Sequence, residues 1–111
     1  MEPLHINGQQ IALDPEGYLQ NLADWSPEVA RQLAHAEGIE LQDEHWEIIE
    51  LLRDFYAEYQ LSPAMRILVK QTGIRYGKEK GNSMHLLRLF PGSPAKLASK
   101  LAGLPKPSNC L

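Results

Sequence analysis

At 111 residues, 43% hydrophobic and 23% charged, with a formal net charge of −3, the chain suits one folded domain with a single core and is too short for two. No run reaches the roughly eighteen apolar residues of a membrane span, and Met1-Glu2-Pro3-Leu4-His5 lacks the basic start and apolar stretch of a signal peptide, so a cytoplasmic protein is expected. One cysteine excludes an internal disulfide; stability must come from packing, and oxidation can only join this chain to something else.

Leu4-His5-Ile6, Asn7-Gly8 and Gln9-Gln10-Ile11-Ala12-Leu13 predict a β-hairpin closed by a two-residue type I′ turn. In that register Leu4 faces Ile11 and Ile6 faces Gln9, which puts Leu4, Ile6, Ile11 and Leu13 on one buried face. The rest reads as helix. Ser26-Pro27, Ser62-Pro63 and Ser93-Pro94 each set a capping hydroxyl ahead of a proline suited to the first helical position, predicting three helix starts. The first of these helices is expected to end near Gly38 and the second near Gly73. Between them a central helix spans 43–59. Its apolar stripe of Trp46, Ile49, Leu52, Phe55, Tyr56 and Tyr59 is expected in the core rather than as a base-stacking platform, with Glu47, Glu50, Asp54 and Glu58 opposite. Ile67-Leu68-Val69 continues the core. The glycine-punctuated, basic stretch 73–81 predicts a loop, followed by a short helix over 83–90 that Pro91 stops and a last helix over 94–102. The expected fold is mostly α: a compact helical domain over residues 1–102 with an N-terminal β-hairpin, followed by a mobile C-terminal arm over 103–111.

The charge is unevenly spread. Thirteen of the fourteen carboxylates precede Pro63, alongside only Arg31 and Arg53; from Pro63 onward nine basic residues face Glu79 alone. Such a chain either steers one face toward an acidic partner or a nucleic acid, or folds its two halves together so that complementary faces solvate the surface. Few other motifs carry chemistry. His5, His35, His45 and His85 fall on separate elements, so no metal site is expected, and His45 beside Trp46 reads as a structural residue at a helix start. No glycine-rich phosphate loop occurs, so no nucleotide cofactor is expected. The carboxylates are too evenly spread to nominate an acid/base pair.

The distinctive thiol is Cys110, in Gly103-Leu104-Pro105-Lys106-Pro107-Ser108-Asn109-Cys110-Leu111. The two prolines cannot donate backbone hydrogen bonds, and they push Leu104 and Lys106 toward extended conformations. Nine extended residues from Gly103 would carry the sulfur about 30 Å from its anchor. A swinging arm and a frayed end with an incidental thiol fit these residues equally well. As a nucleophile Cys110 would act as the thiolate; Lys106 and the basic half favour that form and the neighbouring C-terminal carboxylate opposes it. With no adjacent histidine and no Cys-x-x-Cys pair, activation would be completed inside a partner. Arg66, Lys100 and Lys106 are candidates for orienting a persulfide or meeting a partner's acidic rim, against the plainer reading of solvated surface charge.

The terminal Gly103-Leu104-Pro105-Lys106-Pro107 with penultimate Cys110 resembles the signature of the DsrC/TusE family of sulfur-carrier proteins. Further matches are Asp14-Pro15-Glu16-Gly17-Tyr18-Leu19, Trp25, Glu37-Gly38-Ile39-Glu40-Leu41, His45-Trp46-Glu47-Ile48-Ile49, Leu52-Arg53-Asp54-Phe55-Tyr56, Pro63-Ala64-Met65-Arg66 and Leu89-Phe90-Pro91-Gly92-Ser93-Pro94. The resemblance implies a helical fold with a helix-turn-helix-like arrangement. DsrC-type members carry a second cysteine eleven residues upstream of the penultimate one, where this chain has Ser99, so it is more similar to the single-cysteine TusE type. That type implies a sulfurtransferase taking persulfide sulfur from a TusBCD relay and passing it to the tRNA thiouridylase MnmA for wobble-uridine 2-thiolation, with tRNA held in the acceptor complex, no cofactor and no membrane. Asn109 and Leu111 depart from the family's glycine and its valine or isoleucine. Two other readings stay open: a redox partner of a sulfite reductase system, against which Ser99 argues, and a helix-turn-helix DNA-binding regulator, which requires the basic residues to converge on one exposed face.

Overall fold

A computed structural model describes residues 1–108. Asn7 and Gly8 take φ of 51° and 80°, the positive pair that a type I′ turn demands. The turn joins β1 (Leu4–Ile6) to β2 (Gln9–Ile11), with Leu4 opposite Ile11 and Ile6 opposite Gln9 as expected. Ile6, Ile11 and Leu13 are buried and Leu4 packs against them at the edge. Asp14 then closes a tight turn. Its Oδ1 accepts from the backbone N–H of Glu16 at 2.8 Å and of Tyr18 at 3.0 Å, which brings Leu19 back to bridge Leu13.

A single 3-10 turn (Leu22–Asp24) leads into α1 (Pro27–Ala36), whose cap is the predicted one: Ser26 Oγ accepts from the Val29 N–H and Pro27 opens the first turn. The central helix α2 (Asp43–Tyr59) has the predicted bounds. Its buried face is turned from the predicted stripe, comprising His45, Ile48, Ile49, Leu51 and Leu52, with Trp46, Phe55 and Tyr56 half-buried and Tyr59 53% exposed. Of the predicted aromatic stripe, Trp46 and Tyr56 pack against the core, while Phe55 and Tyr59 pair with each other, ring centroids 4.6 Å apart, toward the surface. His45 is structural. Its Nδ1 can only accept from the Gln42 N–H at 3.0 Å, so Nε2 carries the proton and donates to the Leu89 carbonyl at 2.9 Å.

Two expectations for α3 (Met65–Tyr76) need correcting. Ser62 does not cap it; Ala64 occupies the cap position, and the Ser62 hydroxyl is spent elsewhere, as described below. Nor does Gly73 end it: the helix runs three residues further, to Tyr76, and Gly77 is the cap. A Cβ on Gly81 would collide with the Gly73 backbone and lie 3.2 Å from the Val69 carbonyl, so these glycines serve a close crossing between α3 and the chain entering α4 (Ser83–Leu89). Leu68 is fully buried, whereas Ile67 is 41% exposed. Asn82 caps α4 through its side chain, and α5 (Pro94–Leu101) follows Ser93-Pro94. Every other helix packs on α5, and the core runs continuously from the hairpin through Val29, Ile48, Leu52, Leu68, Leu86 and Phe90 to Leu101 and Leu104.

The acidic and basic halves meet between α2 and the α3–α4 unit. Arg75 contacts Asp54 at 2.8 Å and Glu50 at 3.3 Å, Lys80 contacts Glu47 at 2.8 Å, and Arg88 contacts Glu44 at 3.4 Å. His85 sits inside this seam. Arg88 donates to its Nδ1 at 3.1 Å, and its Nε2 faces Glu44 at 3.9 Å without a hydrogen bond among the described residues. Burial pushes its pKa below the ordinary 6.5; the pull of Glu44 and Glu47 is countered by Arg88 and Lys80. A histidine whose folded pKa is depressed takes up its proton more readily when unfolded. Stability is therefore lost as pH falls below the unfolded value and through the folded one. Thermal unfolding is expected to show a midpoint that falls between about pH 7.5 and 5, and His85→Gln should flatten that slope. An equal slope in the variant would assign the dependence to other groups.

Candidate functional site

Cys110, with Asn109 and Leu111, lies outside the described residues, so the site is read from the chain that leads to it. The last turn of α5 presents carbonyls that helix geometry leaves without partners. Side chains from far upstream supply them. Trp25 Nε1 donates to the Leu101 carbonyl at 2.9 Å and Arg53 Nη1 to the Ala102 carbonyl at 2.7 Å, with the guanidinium stacked 3.9 Å over the Trp25 ring. Burial lowers the Arg53 pKa below the usual guanidinium range, yet a guanidinium there stays charged at neutral pH.

Gly103 then turns the chain at φ 74° against the Trp25 side chain. Leu104 donates its N–H to the Ser99 carbonyl at 3.0 Å and is only 3% exposed. The Ser62 hydroxyl donates to the Pro105 carbonyl, Lys106 Nζ meets Glu16 at 3.0 Å, and Pro107 is buried. An arm free from Gly103 is thus not what the structure shows: residues 103–107 lie docked on the domain. Prolines lack an N–H, but their carbonyls still accept, and Leu104 gains burial only by packing inward. The length beyond this dock is three residues to the sulfur, about 10 Å of chain rather than about 30 Å.

Of the predicted site residues, Lys100 and Lys106 converge on the tail's base. Lys100 pairs with Glu37 at 3.1 Å and lies 5.4 Å over the Tyr18 ring, whose hydroxyl donates to the Lys96 carbonyl at 3.0 Å. Arg66 is not among the residues there; it is exposed on the first turn of α3. Glu16, Trp25, Arg53 and Ser62, which hold the tail, were not among the sequence candidates. One signal was available: Arg53 is one of only two cations in an otherwise acidic half, placed beside the apolar stripe of α2.

Ser99 is fully buried, and its Oγ has no hydrogen-bond partner among the described residues. A thiol introduced by Ser99→Cys is therefore expected to resist an aqueous thiol reagent in the native protein and to react on denaturation. Mild oxidation should form no bond to Cys110 while the native fold holds, because Ser99 is fully buried and the Leu104 N–H is bonded to its carbonyl. Rapid closure would show that residues 103–107 leave the domain readily.

A DNA-binding surface needs its cations free, and part of the basic half is not. Arg75, Lys80 and Arg88, three of the cations of the α3–α4 unit, are spent on α2 carboxylates.

The family described as "DsrC like protein" matches residues 5–111. A sulfurtransferase TusE homolog of Haemophilus influenzae is 53% identical over 108 residues, covering 97% of this chain and 99% of that protein. Sulfurtransferase TusE of Escherichia coli is 51% identical with the same coverage. Among solved structures, DsrC of Allochromatium vinosum is 52% identical with a TM-score of 0.91, covering 99% of this chain and 98% of that one. The oxidized γ-subunit of the dissimilatory sulfite reductase from Archaeoglobus fulgidus is 39% identical with a TM-score of 0.87, covering 98% and 99%.

Proposed function

Because the chain belongs to the DsrC-like family, we propose that it is a TusE-type sulfurtransferase: a persulfide carrier that takes sulfur on Cys110 and hands it on for 2-thiolation of wobble uridine in tRNA. The observation that carries this reading is its identity of 51–53% over nearly the whole chain to proteins named sulfurtransferase TusE. The lone cysteine of the sequence, one residue from its end, agrees with it. Sulfur relay requires other proteins; a TusBCD-like complex as donor and an MnmA-like thiouridylase as acceptor, in the cytoplasm, complete the proposal.

The transfer balances without an oxidant. The Cys110 thiolate attacks the terminal sulfur of a donor persulfide; one S–S bond forms at Cys110 as the donor's own S–S bond breaks, and the donor leaves as a thiolate. An acceptor thiolate then takes the same sulfur from Cys110 by the same displacement. In this scheme Trp25, Arg53, Ser62 and Glu16 position the tail, fixing where its last three residues begin. Mass spectrometry of the protein incubated with a persulfide donor is expected to show one added sulfur atom on Cys110, lost when an acceptor thiol is supplied. Absence of uptake from any donor would overturn the reading.

A further inference from the structure

Helix α3 divides its faces in an unusual way. At about 100° per residue, Leu68 and Thr72 point into the core, where both are fully buried, while Arg66, Ile67, Lys70 and Ile74 share one arc on the opposite side. On that outward arc Ile67 is 41% and Ile74 69% exposed, and Arg66 and Lys70 are exposed as well. Apolar residues on both sides of a surface helix are not explained by the domain's own core. The arc's cations are not spent on the domain itself. Arg31, Arg75, Lys80, Arg88, Lys100 and Lys106 each pair with a carboxylate, whereas among the described residues Arg66 and Lys70, like Lys78 and Lys96, have none within ion-pair distance. The first turn of this face lies near the anchor of the tail. Ser62, which holds Pro105, is four residues from Arg66, so the two backbones lie within about 15 Å.

The geometry points to this face of α3 as a docking surface for the sulfur-donor protein, whose complementary site is an apolar patch rimmed by carboxylates. The inference rests on the sulfur-carrier reading for the identity of that partner. Nucleic acid is a poor occupant, because phosphates would leave Ile67 and Ile74 uncovered and the arc offers no aromatic ring for a base. A second copy docking through the same face would set Arg66 and Lys70 against themselves. The acceptor is disfavoured by its own chemistry: a protein that binds tRNA needs cations around its site and would repel this arc. A donor carries no such requirement, and docking one turn from the tail's anchor would deliver Cys110 to its persulfide within the short reach left to it.

The test compares the wild type with Lys70→Glu/Ile74→Ser, both changes at exposed positions, in three reactions. These are loading of Cys110 by inorganic polysulfide, loading by the purified TusBCD-like donor at limiting concentration, and delivery from polysulfide-loaded protein to the MnmA-like thiouridylase with tRNA. Loading by the donor is expected to fall at least about tenfold, to lose the salt dependence it shows in the wild type, and to leave the other two reactions unchanged. Unchanged loading by the donor overturns the proposal, as does a loss confined to delivery, tRNA binding that the variant abolishes, or self-association through this face. Failure of polysulfide to load the wild type would instead strike the sulfur-carrier reading. Direct titration of the donor with each form then still decides the surface.

Discussion

Cys110→Ser is expected to abolish sulfur loading while leaving the unfolding midpoint of the domain unchanged. The two halves of this expectation have separate physical sources. Sulfur transfer needs a thiolate, and a serine hydroxyl can neither be deprotonated to a comparable nucleophile near neutral pH nor hold a sulfane sulfur. The core, by contrast, is complete by Leu104, and the tail's observed attachments are made by residues 101–107. Cells holding only this variant should lack 2-thiouridine in tRNA. Thiolation at the wild-type level would remove Cys110 from the pathway, whatever the protein's other roles.

Gly103→Ala is expected to destabilise the protein by about 3 kcal/mol, combining a left-handed conformation that costs an L-residue about 1–2 kcal/mol with overpacking of a filled site. At φ 74° a Cβ there would collide with the indole of Trp25, whose Cγ would lie 2.6 Å and Cβ 2.8 Å away. Trp25 cannot retreat cheaply, since its Nε1 holds the Leu101 carbonyl and Arg53 stacks over its ring. Gly38→Ala supplies the control. It has a nearly equal φ of 75° with nothing within 4 Å of the added methyl, so it isolates the backbone cost at about 1 kcal/mol. Urea unfolding of both variants checks the difference; equal losses would mean that the Trp25 contact yields. Because the same clamp sets where the tail begins, Gly103→Ala is also expected to slow loading by a protein donor more than loading by polysulfide.

Much of the architecture was legible wherever a local rule and the tertiary context agree. The Asn7-Gly8 turn, the Ser26-Pro27 cap and the bounds of α2 rest on backbone preferences that nothing in the fold opposes. The readings that failed have a common cause. Ser62-Pro63 carries the same cap signature as Ser26-Pro27, but a hydroxyl can serve only where its neighbours put it, and the Pro105 carbonyl, 43 residues on, claims it. Gly73 looks like a helix terminator until Gly81 crosses it. The tail was misread for a related reason. Its prolines announce the missing donors, whereas the carbonyls of Leu101, Ala102 and Pro105 find donors 76, 49 and 43 residues upstream, at separations no local pattern reveals. Of the site itself, the sequence nominates a thiol, whereas the residues that hold the chain leading to it could not be read from any local pattern.

The packing of all four other helices on α5 bears on how the protein is made. Translation produces this helix after α1–α4, so during synthesis the earlier helices exist without the surface that organises them. Their apolar faces, and the Trp25 and Arg53 side chains that await the last carbonyls of α5, must wait for its emergence. Folding is then a late, concerted event rather than a gradual one. A nascent chain stalled before residue 94 is expected to be protease-sensitive and to engage chaperones, and the moment the domain closes is also the moment at which the tail acquires its place.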